Sequence, residues 1–349
     1  MRSRRGLTET RRQPRKFALV IEFAVMPAPL PEFDSAAILA ARASPRSVLD
    51  VGRPVSFFSE REYSVGGTID DVATIFLTNR ECPFHCLMCD LWQHTTEQTV
   101  PVGAIPAQIA FALRILTPEL RTPARHIKLY NSGNFFDPKA IPVADHAAIA
   151  AACAGFKTVI VENHPTLTGP RCLPFRDLLA ARGIELQIAM GLETIHPEVL
   201  PRLNKQMTVE DFANATRFLT SEGIRTRAFI LLRHPFLSED EGVHWALRSI
   251  DFAFEVGVEC CSIIPTRGGN GIMEQLGASG LYAPPVLASL ESVQEFGLSL
   301  NRGRLFVDLW DAQQFATCSV CVKERIKRLQ RVNLSQCIEA RVTCEACAS

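Results

Sequence analysis

Three cysteines on one short stretch, Cys82, Cys86 and Cys89, are the residues of this 349-residue chain whose spacing most directly implies chemistry. They stand in LTNRECPFHCLMCDLW, residues 77–92, as C-x3-C-x2-C. Three thiolates on so short a loop can wrap three corners of a cubane iron–sulfur cluster, whereas a cluster ligated wholly by protein needs four. The missing fourth ligand leaves one iron open to a small molecule. Zinc is the competing reading, with His85 completing the set. His85 is the immediate neighbour of Cys86, which makes poor tetrahedral geometry, so the open cluster is the better account.

A second set lies near the C-terminus. Cys318-Ser-Val-Cys321 and Cys344-Glu-Ala-Cys347 are two C-x2-C knuckles separated by 22 residues. Such knuckles close a four-thiolate zinc site or hold a second iron–sulfur cluster, and spacing does not separate the two. Redox disulfides or unbound thiols are the third reading, and Cys337 is a spare ligand. Between the knuckles Lys323, Arg325, Lys327, Arg328 and Arg331 fall largely on one helical face. That face suits RNA or a cofactor phosphate, or is simply solvated. Cys260 and Cys261 sit on a strand, point to opposite faces and read as core. The chain holds 12 cysteines, clustered rather than scattered. In so large a core-forming chain this favours metal ligation in a reducing compartment over a secreted disulfide scaffold, and a cytoplasmic location is expected.

The elements that must position these residues begin near residue 72. Val72–Thr78 reads as a strand ending just before the cysteine loop. Further strands are expected at His126–Tyr130, Thr158–Glu162, Glu185–Met190, Thr226–Leu232 and Glu259–Pro265, alternating with helical-period segments. Six βα units over about 190 residues predict an α/β fold, a partial (β/α)6 TIM-like barrel with a C-terminal cysteine-rich metal-binding tail. In such folds the loops after the strand C-termini form the active face. The organisation expected is a lead-in over 1–71, a core over 72–266 and an extension over 267–349. Residues 1–16 carry seven basic side chains against one acid and read as a frayed tail or an over-extended start. Hydrophobic residues make up 47% and charged ones 21%, and no apolar run is long enough to span a membrane. Lys+Arg and Asp+Glu are equal at 37 each, so no global basic field advertises nucleic-acid binding.

The C-x3-C-x2-C triplet after the first strand, with the aromatic Phe84 two residues before Cys86, resembles the radical S-adenosylmethionine (SAM) superfamily. The resemblance implies a [4Fe–4S] cluster on Cys82, Cys86 and Cys89, with SAM chelated to the open iron. It also implies SAM contacts at later strand ends. Ser132, Gly133 and Asn134 follow the second strand, where the family often has a glycine-rich turn ending in an acid, and the acid is absent here. Glu162 ends the third strand and Glu193 follows the fourth; both suit ribose hydroxyls, Glu193 matching the family's contact better or else capping a helix. Arg233, at the end of the fifth strand, suits the SAM carboxylate or a nearby acid. His164 and His234 are candidate proton handlers, each more often structural in such a place. An electron donor such as flavodoxin or ferredoxin is implied as a partner.

A narrower likeness comes from YNSGNFFD (130–137), MGLET (190–194), LNKQMTVEDF (203–212) and FILLRHPFLSE (229–239). These strings resemble the radical SAM partner of archaeosine synthase, a group itself similar to the elongator catalytic subunit, over residues 72–265. The likeness implies chemistry on a modified tRNA base and places Asn204 and Lys205 toward the active face, Lys205 with His234 as candidate catalytic groups. The plain cysteine loop, where that group has a longer insertion, departs from its pattern. The chemistry class is therefore expected to carry over and the substrate is left open, RNA included. A non-catalytic iron–sulfur or zinc scaffold is the rival.

Overall fold

In the computed structural model the described residues are 31–42, 46, 48–117 and 124–348. The Arg-rich segment expected to be a frayed tail lies outside them. Among the described residues eight strands form one sheet: β1 (Ser56–Tyr63), β2 (Ile69–Phe76), β3 (His126–Tyr130), β4 (Thr158–Glu162), β5 (Glu185–Glu193), β6 (Arg225–Leu232), β7 (Cys260–Pro265) and β8 (Arg304–Val307). Their spatial order follows the chain, β1 to β8, and every neighbouring pair is parallel except the β1–β2 hairpin. The six expected strands are thus β2 to β7. Two more extend the sheet, one at each edge. β1 pairs with β2 along its whole length, which draws the start of β2 back to Ile69. β8 joins β7 through four residue pairs.

The helices are α1 (Ser35–Ala40), α2 (Ala104–Leu116), α3 (His146–Ala152), α4 (Leu173–Ala180), α5 (Val199–Arg202), α6 (Val209–Ser221), α7 (Glu239–Glu255), α8 (Ile272–Ala278), α9 (Leu287–Ser299), α10 (Val322–Ser335) and α11 (Glu345–Ala348). Capping boxes begin the two best-defined crossover helices: Thr208 with Asp211 at α6, and Ser238 with Glu241 at α7. Side chains alternate across each strand. On the outer face Ile127, Leu129, Val159, Val161, Ile188, Ala228, Ile230 and Ile263 pack on Ile109, Ile149, Phe175, Phe212, Leu219 and Ile250 of the helices. Among the described residues no helix is long and apolar enough to cross a membrane.

The inner face, unlike the outer one, is charged. Lys128 of β3 donates to Glu60 at 2.8 Å and pairs with Glu62 at 2.7 Å, both on β1. Arg227 of β6 donates through Nη1 to Glu62 Oε2 at 3.1 Å. Arg304 of β8 donates to the Tyr63 carbonyl at 2.7 Å and to Glu259 at 2.7 Å, and lies 3.4 Å from Glu62. Because Arg304 sits on one edge strand and Glu62 and Tyr63 on the other, these contacts bring the edges together and curl the sheet into an open half-barrel. Burial alone would push the Glu62 carboxyl up, but Arg227 and Lys128 overcome it and hold it well below the usual carboxylate range.

A carboxylate whose folded pKa lies below its unfolded value stabilises the fold fully above that unfolded value and loses the effect as pH falls. Stability should therefore be level above about pH 4.5 and decline in more acid solution. Arg227→Ala, which strips a buried partner from Glu62, is expected to cost about 3–5 kcal/mol in urea unfolding at neutral pH. A loss below about 1 kcal/mol would mean that Lys128 and Arg304 suffice.

Candidate functional site

The cysteine loop leaves β2 at the C-terminal end of the parallel strands and is fastened from three distant segments. The Leu87 N–H donates to the Leu203 carbonyl at 2.8 Å, and Asn204 Nδ2 donates to the His85 carbonyl at 2.8 Å. Asn270 Nδ2, from the glycine-rich loop after β7, donates to the Leu87 carbonyl at 2.7 Å and the Cys89 carbonyl at 3.2 Å. Asn134 Nδ2 donates to Cys82 Sγ at 3.1 Å. Gly133 lies so close that a Cβ there would stand 3.1 Å from the Cys82 Cβ. The Phe84 ring stacks on His164 with centroids 3.8 Å apart. Upstream, Arg42 and Arg46 both pair with Glu81 at the foot of the loop.

Cys82, Cys86 and Cys89 all line one open cavity of about 2080 Å³, shared with Ser132, Gly133, Asn134, Glu162, His164, Glu193 and Lys205. Burial pushes the Cys82 thiol up to about 11 and those of Cys86 and Cys89 up to about 12. Buried thiols of this kind stay protonated unless a metal takes the proton's place, since a coordinating thiol is deprotonated outright. Three soft donors on the lining of one roomy pocket, with an amide N–H aimed at one of them, fit a three-thiolate iron–sulfur cluster with a vacant corner.

Beside the sulfurs lies a buried ion pair. Lys205 Nζ donates to Glu193 Oε1 at 2.8 Å. Burial works against the Lys205 charge, but Glu193 and the Cys86 sulfur outweigh it and raise its pKa. Gly191 makes room for this pair, because a Cβ there would meet Glu193 Oε1 at 2.1 Å and Lys205 Nζ at 2.7 Å. A bulge lies between Gly191 and Glu193, and Glu193 has φ of 61°. Ser132, Asn204 and Arg233 also have positive φ. Strained backbone of this kind concentrates at functional sites. Burial raises the Glu162 carboxyl, partly offset by the N–H groups of Asn131 at 2.6 Å and Gly133 at 3.2 Å. Glu162 therefore organises the Asn-Ser-Gly turn from across the β3–β4 gap.

No known family model matches the chain. An uncharacterised protein of Methanocaldococcus jannaschii is 24% identical over 322 residues, 86% of each chain. The archaeosine synthase β subunit of Methanosarcina acetivorans is 26% identical over 214 residues, 59% of each chain. The chain is thus similar in sequence to archaeosine synthase β subunits. Among solved structures, Elp3 of Methanocaldococcus infernus superposes with a TM-score of 0.47 at 14% identity, over 65% of this chain and 59% of that one.

In this relative of the synthase subunits, not every residue expected at the site reaches it. Arg233 turns away from the cavity to Glu239 at 2.6 Å and the Pro284 carbonyl at 2.6 Å. His234 is buried outside the cavity lining, and burial drives its pKa down to about 3. His164 lines the cavity, pushed down to about 3 by burial and held at Nε2 against the Lys205 carbonyl at 2.9 Å. Sequence reasoning missed Asn270, Gly191 and the cavity wall formed by Glu60, Lys128, Tyr130, Arg227, Phe229 and Trp310. A usable signal was present: Lys128 and Arg227 stand inside otherwise apolar strands, and an interior charge marks a polar face.

Gly191→Ala forces a methyl between Glu193 and Lys205. A stability loss of about 1–3 kcal/mol is expected in urea unfolding, as for overpacking at other filled sites. Unchanged stability would mean that the pair can part without cost.

Proposed function

We propose that this chain is a radical SAM enzyme whose cluster is held by Cys82, Cys86 and Cys89. The observation that carries the reading is the presence of Cys82, Cys86 and Cys89 together on the lining of one cavity with strand-end residues. When bound, the cluster would supply one electron to SAM, splitting it to methionine and a 5′-deoxyadenosyl radical that takes hydrogen from substrate. The residues of the chain orient and enclose. Asn134 steadies the Cys82 sulfur, and the Ser132–Asn134 turn offers backbone beside the open corner. Glu193, fixed by Lys205, presents a carboxylate to the same space. The curled sheet and its loops limit the reach of water and stray C–H bonds.

For the substrate, kinship with the archaeosine synthase β subunits supports a modified base of RNA. The cavity wall agrees in kind. Phe58, Phe76, Tyr130, Phe229 and Trp310 offer aromatic faces of the sort on which an extruded base stacks. The helix between the C-terminal knuckles gives no such support, because its arginines are occupied: Arg325 by Glu291, Arg328 by Glu295 and Arg331 by Glu339. The core assigned to residues 72–266 takes in most of β2 and all of β3 to β7, and its sheet is completed by β1 from the lead-in (1–71) and β8 from the extension (267–349). A flavodoxin or ferredoxin is the expected reductant, in a cytoplasmic setting.

Anaerobic reconstitution should load the triplet with about four irons and about four sulfides. With dithionite and SAM the loaded protein should release 5′-deoxyadenosine, and Cys86→Ala should reduce release to background. A loaded protein that never cleaves SAM would leave the iron–sulfur scaffold as the better reading.

A further inference from the structure

The four C-terminal cysteines meet in space. Their sulfurs all lie within 4.8 Å of one another, with Cys318 and Cys344 at 4.0 Å and Cys321 and Cys347 at 3.7 Å. Cys337 is exposed and outside the group. A zinc ion with Zn–S bonds of about 2.3 Å sets tetrahedral sulfurs about 3.8 Å apart. Iron–sulfur clusters distribute four thiolates over two or more irons, which spreads the sulfurs over the cluster's surface. Four sulfurs this close enclose one ion. The backbone N–H groups of Val320 and Cys321 face the Cys318 sulfur, and Arg325 lies against that of Cys321, so the charge of four thiolates is partly met by the protein.

The position of this group says what it fastens. Cys321 is the residue from which α10 starts. α10 packs against β1, β8 and the turn at Ala312–Phe315, along the seam where the half-barrel is open. From its far end two side-chain amides pair with the free edge of β8. Asn333 accepts from the Val307 N–H at 3.0 Å and donates to the Val307 carbonyl at 2.9 Å. Gln336 does the same for Leu305 at 2.8 and 2.9 Å. Ile326, Gln330, Asn333 and Leu334 of the same helix line the cavity that holds the cysteine loop. The chain beyond α10 folds back beneath it, where buried Arg328 donates to the Ala340 carbonyl at 2.9 Å and to Glu295 at 2.7 Å.

We infer that Cys318, Cys321, Cys344 and Cys347 hold a single zinc ion that locks α10 across the open edge of β8 and so fixes one wall of the cavity. The inference goes beyond the catalytic reading and does not depend on it. Full-length protein carrying Cys82→Ser, Cys86→Ser and Cys89→Ser should retain one zinc and no sulfide per chain. Its cobalt-substituted form should show the absorption of a tetrahedral tetrathiolate, abolished by adding Cys344→Ser and Cys347→Ser. Sulfide or several irons retained in the triple variant would overturn the single-ion assignment, as would the absence of any stoichiometric metal. One iron without sulfide would overturn the choice of zinc. For the wall, removing zinc from the wild-type chain with a chelator should speed hydrogen exchange at the Leu305 and Val307 amides by about tenfold or more, reversed by returning zinc. Exchange unchanged by chelation would sink the locking role even with the metal confirmed.

Discussion

A loop that carries three thiols presents them to one point only if its backbone is held from outside. Here the hold comes from side-chain amides: Asn204 and Asn270 take the carbonyls of His85, Leu87 and Cys89, and Asn134 reaches the Cys82 sulfur itself. Each comes from a different strand-end segment, so the sulfurs are set by the relative placement of β3, β5 and β7. Anything that shifts those strands shifts the sulfurs. An amide suits the task because it donates strongly without adding a charge beside thiols that must ionise on binding metal.

Strand placement in turn rests on the charged inner face. A sheet of parallel strands covered on one side only would collapse if its inner face were apolar. Glu62 among Lys128, Arg227 and Arg304 fills the floor with groups that must stay mutually paired, which ties β1, β3, β6 and β8 at fixed distances and leaves the upper cavity open. Such a network is weak as a source of net stability and strong as a penalty on any arrangement that breaks it. The cavity above inherits both acid and base on its lower wall.

Much of this was legible in the chain. The six central strands, the cysteine loop and its place after the first of them follow from local pattern, since each strand is one apolar run between turns. Ser132–Asn134, Glu162 and Glu193 were picked out because strand ends point to one face, whatever the details of the sheet, whereas Lys205, which follows α5, came from the LNK string alone. β1 and β8 were not found. β1 (SFFSEREY) carries alternating charge whose partners lie up to 242 residues away at Arg304, and no local window holds both. Arg233 reads like a ligand clamp until the fold brings Glu239 and Pro284 beside it. The arginines of α10 looked like an RNA face because acids from α9 and the following chain are invisible to helical periodicity.

The bulge in β5 has a further consequence. A strand counts in twos, and the register passes from Gly191 opposite Phe229 to Glu193 opposite Ile230, so Leu192 is one residue too many for its partner. The acid thereby sits one rung lower than its place in the sequence implies, within reach of Lys205. Parity beyond this point is broken. Any alignment that matches this stretch to an unbulged strand residue by residue will set its carboxylate one step from where it stands in space, and will compare the wrong side chains across the two proteins.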